Sequence, residues 1–453
     1  MILLKKIKTL RFYDSIAAPL LIVIPLLFPF FIHSFLKYDI QYTWRWMLQL
    51  TSIQRTYVDS ETNYPIIGAL ATSWLAKLIR LITPHLTSYF AFSGFAFTYR
   101  AALAIFDSAN ACLMAILARQ LGFRFPHLVA LLIFLLPSTW VMGACWGQVD
   151  NVSLLFFLLS SVLYVHVSKS IQNKSSKILL LYPAFVFSIL LFLCTKQTFI
   201  FTAIVLGVLS VLSGFSVFKT FSKRITMLTV GAASLFILFF LIIDHWFILP
   251  PPYRSHLMYV FSVAPERSTG YFMLSKNGFS VWNFMQIFNP NSAFITIFAG
   301  LTPWFVGRFI AALFLLATLC CVVAHSLFGS VQDLEGVRMG IFLAAFINLP
   351  FNLFLTGLHE RHLYLFYPVI LITFYAIKDR VRNEFQFRLI LASLIVGAFF
   401  YGLFAYSLIS SFWQWKQRLL WVSAYHIFLF CCLLMVWVRI EKNWIRSRRH
   451  TAD

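Results

Sequence analysis

The sequence predicts an all-α, polytopic membrane protein of about twelve transmembrane helices, and three observations carry that reading. Mean hydropathy is +0.83, with 60% hydrophobic and 11% charged residues in 453, a balance that no single soluble core can bury. Continuous apolar runs of roughly 20 residues, the length of a helix that crosses the hydrocarbon, recur without the alternation of a membrane β-barrel. The cations behind a net charge of +21 gather in short segments between those runs. Charge therefore orients the chain in a bilayer instead of marking a nucleic-acid binder.

Lys5, Lys6, Lys8 and Arg11 precede the first run, residues 17–35, which is longer than a cleavable signal core and lacks a small-residue cleavage site. It reads as a retained span with a cytoplasmic N-terminus. Residues 37–99 form a first outer loop. Within it, 66–82 carries Thr72, Ser73, Lys77 and Arg80 on one helical face and Ile67, Leu70, Trp74, Leu75, Leu78 and Ile82 on the other, the pattern of a helix lying in the interface. Spans follow at 101–117, 127–142, 152–167 and 178–194, and then, after a tight turn at Thr195-Lys196-Gln197, at 199–217. The next, 225–249, is stopped by Pro250-Pro251-Pro252, whose missing donors and fixed φ forbid continuation. A second outer loop, 250–307, holds Arg254, Glu266, Arg267, Lys276 and Asn289-Pro290, and its closing stretch, 292–306, reads as interfacial or re-entrant. The last spans are 309–327, 339–355, 363–376, 389–409 and 420–438.

With both termini inside, the inner connections hold Arg119 and Arg124; Lys169, Lys174 and Lys177; Lys219, Lys223 and Arg224; Arg338; and Lys378, Arg380, Arg382 and Arg388. The tail adds Arg439, Lys442, Arg446, Arg448 and Arg449, in keeping with the positive-inside rule. Residues 1–453 read as one membrane domain without internal repeats. The seven cysteines make no disulfide framework, and a bridge between Cys145 and Cys194 is not expected. The sequons at Asn151 and Asn173 read as unused, the first hugging the membrane and the second cytoplasmic.

Three polar clusters fall on the outer side. Asp39, in Lys37-Tyr38-Asp39-Ile40-Gln41-Tyr42-Thr43-Trp44-Arg45-Trp46, is a carboxylate ringed by aromatics. That setting suits a general base acting on an acceptor hydroxyl, and equally an interfacial Asp paired with Lys37 or Arg45. Trp146-Gly147-Gln148-Val149-Asp150 offers a stacking face and hydrogen bonds for a sugar, or else an interfacial anchor and a helix cap. His359-Glu360-Arg361-His362 packs four polar side chains at a membrane edge. Arg361 can grip phosphate oxygens in pairs, with His359, His362 and the separate Lys196 adding contacts; the other reading is a snorkelling Arg361 partnered by Glu360. A zinc-protease spacing would need His where Leu363 stands. No metal ligand set, no cofactor and no phosphate, dinucleotide or nucleophile motif is expected.

Taken in order, Asp39, Asn63-Tyr64-Pro65, Trp146 to Asp150, Lys196-Gln197 and Gly357-Leu358-His359-Glu360-Arg361 resemble the GT-C superfamily of membrane glycosyltransferases. The likeness is to dolichyl-phosphate-glucose-dependent glucosyltransferases and to bacterial relatives of the second mannosyltransferase of GPI-anchor assembly. One departure is that many relatives have Asp-Tyr-Pro-Pro where this chain has Asn63-Tyr64-Pro65-Ile66, leaving Asp59 or Glu61 to replace the carboxylate. The resemblance implies a polyprenyl-phosphate-linked hexose donor and a glycan, lipid or protein acceptor at the non-cytoplasmic face. It makes Asp39 the catalytic base, puts His359, Arg361, His362 and Lys196 at the donor phosphate, and puts Trp146, Gln148, Asp150, Tyr64 and Glu360 around sugar or acceptor. A bacterial plasma membrane is the expected location, with the endoplasmic reticulum as the other. A transporter or lipid flippase is the rival class, for which Asp107, deep in a span, and Asp244, near an outer end, are the acids to consider. If Asp39 is the base, purified Asp39→Asn folds and binds donor but loses turnover by about 100-fold or more, as a donor-consumption assay reads.

Overall fold

The computed structural model describes residues 2–31, 38–52, 54–59, 64–82, 91–147, 149–267, 278–287, 293–294, 296–297, 300–328, 334–357, 360–381, 383–410 and 415–449. Helices carry nearly all of them. In the first part of the chain come α1 (Ile2–Phe31), α2 (Tyr38–Gln49), α3 (Thr56–Asp59), α4 (Ile66–Ala69), α5 (Leu75–Ile82) and α6 (Ala91–Gln120). The middle holds α7 (Pro126–Phe134), α8 (Pro137–Trp140), α9 (Asp150–Gln172), α10 (Ile178–Leu193), α11 (Ile200–Thr220), α12 (Lys223–Asp244) and α13 (His256–Arg267). The rest is α14 (Pro303–Phe328), α15 (Leu334–Phe346), α16 (Asn348–Phe354), α17 (Phe366–Ala376), α18 (Glu384–Ser410) and α19 (Trp415–Arg449).

Among the described residues nine helical stretches are long and apolar enough to cross a bilayer, and α10 and α17 are shorter apolar helices. The chain is a multi-pass membrane protein. The apolar stretch of α15 and α16 is 89% buried and that of α9 72%, against 17% for α1 and for α12. The first set forms the centre and the second faces outward, with Leu235, Leu238, Phe239 and Ile242 of α12 exposed for lipid.

Two expected spans are broken, and at each break side chains replace the lost main-chain bonds, as an apolar solvent demands. Residues 127–142 divide at Pro137, where Leu136 turns extended; the Thr139 hydroxyl donates to Ile133 O at 3.0 Å and the Trp140 indole to Leu135 O at 3.2 Å. Residues 339–355 divide between α15 and α16, where Asn348 Nδ2 donates to Ala345 O at 3.0 Å. The helix expected to reach residue 249 stops at Asp244, short of the three prolines. In the 292–306 stretch the described residues make a turn, with Ile297 N–H donating to Leu301 O and Trp304 N–H to Ala293 O, and α14 starts at Pro303. Lys276 and Asn289-Pro290 lie outside the described residues. All seven cysteines are free.

The interfacial segment 66–82 is helical with a π-helical turn at Leu70–Trp74. Its inward face is the small and hydroxylic one, Gly68, Ala69, Thr72, Ser73 and Ala76, whereas Leu78 and Leu81 point outward. Small residues allow close packing on protein, and bulky apolar ones belong in lipid.

The basic connections converge at one end of the bundle. There Lys169 Nζ donates to Gln120 O at 3.3 Å and Arg338 Nη2 to Leu121 O at 2.7 Å, so cations from α9 and α15 satisfy carbonyls at the C-terminus of α6. Arg380 pairs with Glu335 at 2.6 Å, and Arg439 donates to Gln386 at 2.7 Å. Asp14 of α1 accepts Leu128 N–H at 2.9 Å and lies 3.0 Å from His127 Nδ1, while His127 Nε2 lies 2.9 Å from Arg119. Assigning the ring proton to Nδ1 satisfies all three groups. Asp14 therefore caps α7, which lacks a side-chain cap of its own. Replacing it with Ala strands two donors: Asp14→Ala lowers unfolding stability by about 2 kcal/mol, and Asp14→Asn, which keeps one acceptor, by less, as thermal unfolding in detergent measures.

Candidate functional site

At the end of the bundle away from the basic connections, the segment between α8 and α9 unwinds. Val141–Cys145 forms a π-helical turn in which Gly143 leaves helical geometry at φ −85°, ψ −123°. The unwinding frees Ala144 N–H, and Asp107 of α6 takes it at 2.8 Å with one oxygen while accepting Asn151 Nδ2 at 3.0 Å with the other. Asn151 Nδ2 also reaches Leu103 O, and Asn110 Nδ2 donates to Asn151 O, each at 2.8 Å. Arg100, Leu103, Asp107 and Asn110, at successive helical spacings, make one stripe of α6 that faces this turn. A Cβ on Gly143 would collide with the Asp107 carboxylate, so only glycine admits the acid this close to the main chain.

The turn then passes through Gly147 at φ +74°, a conformation that suits glycine, and a Cβ there would lie 2.6 Å from Ile40 Cγ1. The first turn of α2, where Asp39 stands, thus rests directly on the Trp146–Asp150 turn. Next comes Asp150, wholly buried, whose Oδ1 accepts from the buried Lys196 ammonium. Lys196 stands in the turn after α10, which is fixed from the first outer loop: Ile67 and Gly68 N–H groups donate to Cys194 O at 2.8 and 3.2 Å, and Gly68 abuts Thr195 O. Among the described residues Asp150 Oδ2 has no hydrogen-bond partner, and neither has the hydroxyl of Tyr364, also fully buried. The Asp107 and Asp150 carboxylates and Cys145 lie within electrostatic reach of the Tyr364 hydroxyl.

The sequence-predicted residues fall as follows. Trp146, Asp150 and Lys196 meet in this buried region, and His362 and Tyr64 are half-buried. Tyr64 sets its ring edge-on to Trp46, with centroids 6.0 Å apart. Glu360 and Arg361 lie on a 3-10 turn, Glu360–Leu363, that packs against the end of α16 and leads into Tyr364; their side chains, like that of Asp39, lie outside the described residues. Gln148 and His359 lie outside them entirely. Asn151 is fully buried, so its sequon is closed to modification, while Asn173 is exposed at the basic end. Sequence reasoning missed Asn110, Arg100 and Tyr364. The first two were readable as a polar stripe on an apolar helix, whereas nothing in the sequence singled out Tyr364 from the chain's 18 tyrosines.

A second polar cluster closes the same end. Asp244 accepts Leu257 N–H at 3.0 Å and lies 2.5 Å from His256 Nδ1, which caps α13 and ties it to α12. Tyr57 stacks on His256 at 6.0 Å, and burial, with Cys194, Tyr259 and Asp244 nearby, raises its pKa well above normal. Nearer the surface, hydrogen bonds from Thr51 and Arg55 hold the Asp59 carboxyl below its ordinary value. Among the described residues no three His, Cys, Asp or Glu side chains are grouped to hold a metal ion.

No protein-family model matches this chain, and no curated protein or solved structure does. The geometry itself yields a check on the turn: Gly143→Ala displaces Asp107 and costs about 3 kcal/mol, whereas Gly207→Ala, at a position with open space around its Cβ, is near neutral, both read from unfolding midpoints.

Proposed function

We propose that this protein is an inverting glycosyltransferase that moves a hexose from a polyprenyl-phosphate-linked donor to an acceptor hydroxyl at the non-cytoplasmic face of a membrane, with a bacterial plasma membrane as the favoured setting. In this reading the chain crosses the bilayer twelve times and keeps both termini on the cytoplasmic side, with the basic connections. One observation carries the proposal. Among the described residues, of the fully or nearly buried acids Asp107, Asp150 and Asp244, Asp150 alone accepts no main-chain N–H and is paired with a lysine ammonium, Lys196. A buried ion pair is costly to keep, so chemistry is a better reason for it than stability.

The start of α2, which carries Asp39, packs on the Trp146 turn through Ile40, the Lys196 turn meets Asp150 through the ion pair, and the 3-10 turn through Arg361 and His362 leads into Tyr364. Asp39 takes the acceptor proton. His359, Arg361, His362 and Lys196 neutralise the departing lipid phosphate, and Trp146, Gln148, Asp150, Tyr64 and Glu360 orient sugar and acceptor. A phosphate so neutralised leaves without a second carboxyl acid, and attack opposite to it inverts the anomeric carbon. A transport reading leans on Asp107, but that carboxylate is already engaged by Ala144 and Asn151.

Purified protein incubated with radiolabelled polyprenyl-phosphate hexoses and a membrane-lipid extract consumes donor and labels acceptor. Arg361→Ala weakens donor engagement by about 2 to 4 kcal/mol. Donor that stays intact with every hexose tried rejects the transferase.

A further inference from the structure

Asp150 and Tyr364 are both fully buried and within electrostatic reach of one another, and among the described residues Asp150 Oδ2 and the Tyr364 hydroxyl each lack a hydrogen-bond partner. Unsatisfied buried oxygens are expensive, so both should gain a partner in some state of the protein. The Lys196 ammonium is compact and sits on a flexible stem, while the main chain that carries it is pinned at Cys194 and Thr195. The side chain can therefore turn while its turn stays still. Asp107 and Asp244 cannot move without stranding an N–H; Asp150 has no such tie.

We propose that Asp150 holds the place of a lipid phosphate. When a polyprenyl phosphate group arrives, Lys196 exchanges the carboxylate for the phosphate anion, and the Tyr364 hydroxyl donates to the released Asp150. Tyr364 is then a positioning residue of the site, acting through Asp150 and Lys196. The exchange needs no proton transfer: one salt bridge breaks, another forms, and a neutral phenol already present takes up the carboxylate. The inference rests on the proposed function for the identity of the anion. It explains how a cation can wait, buried, for a ligand without standing as an uncompensated charge.

The test is direct binding of a short-chain polyprenyl phosphate, without sugar, to the purified full chain, with the matching polyprenol as neutral control and inorganic phosphate as competitor. Wild type prefers the lipid phosphate to the alcohol. Asp150→Asn removes the competitor for Lys196 and binds the lipid phosphate about tenfold more tightly. Tyr364→Phe leaves released Asp150 unsatisfied and binds it about tenfold more weakly, with affinity for the alcohol unchanged. The neutral pair Asp150→Asn with Lys196→Gln, which removes both charges at similar volume, loses the preference for phosphate.

Asp150→Asn binding the lipid phosphate no better than wild type overturns the exchange, as does Tyr364→Phe binding it equally well. If Asp150→Asn does not fold, Tyr364→Phe and the neutral pair decide by the same criteria. Displacement by equimolar inorganic phosphate overturns the lipid-linked assignment. Tightened binding in Asp150→Asn together with no sugar transfer would keep the phosphate site and remove only the transferase.

Discussion

Everything in this bundle answers to one constraint: a main-chain N–H or C=O group in hydrocarbon has no water to bond, so every interruption of a helix must bring its own partner. The chain has only 15 acidic residues, and several serve at such interruptions. Asp107 takes the N–H freed where the segment before α9 unwinds, and Asp14 and Asp244 cap helices that begin elsewhere in the chain. Hydroxyl, amide and indole groups do the same for carbonyls at Pro137 and Asn348. Against that background a buried acid with no main-chain duty is conspicuous, and Asp150 is such an acid.

The same constraint shapes the surroundings of Asp150. Unwinding at Gly143 permits a sharp return of the chain, Gly147 lets α2 sit on that return, and Gly68 lets the first outer loop reach the turn that carries Lys196. Stretches far apart in sequence are thereby held in close contact at glycine, main chain on main chain at Gly68 and side chain on main chain at Gly143 and Gly147. Such contact resists relaxation, so polar groups set upon it keep their relative positions, a prerequisite for electrostatic work in a low-dielectric site.

Much of the architecture was legible because hydropathy and the placement of Lys and Arg report directly on the bilayer. Helix covers most of each apolar segment among the described residues, with breaks at Leu136 and between α15 and α16 and an early stop at Asp244, and Lys169, Arg338, Arg380 and Arg439 gather at one end. What could not be read was where a helix breaks without proline, as at Gly143, because its cause is an acid 36 positions earlier. The partnership of Asp150 with Lys196 spans 46 positions, and only packing brings the two together. The amphipathic segment 66–82 gave the right element, and which of its faces packs on protein, the small and hydroxylic one, came only from the structure. Tyr364 had no signature at all: its interest comes wholly from neighbours on α6 and α9.

Helix α19 runs 35 residues, about 52 Å at 1.5 Å per residue, with no glycine or proline along it. Near one end Ser423 accepts from Asn283 at 2.8 Å and His426 bonds Tyr367 at 2.7 Å; near the other Glu441 meets His325 at 3.0 Å and Trp444 packs on the same imidazole. A rod fastened at both faces and lacking a hinge behaves as a lever. A tilt imposed at the Asn283 contact is therefore carried along the whole rod to the Glu441 and Trp444 contacts at its other end, and a load there is felt in return beside Asn283.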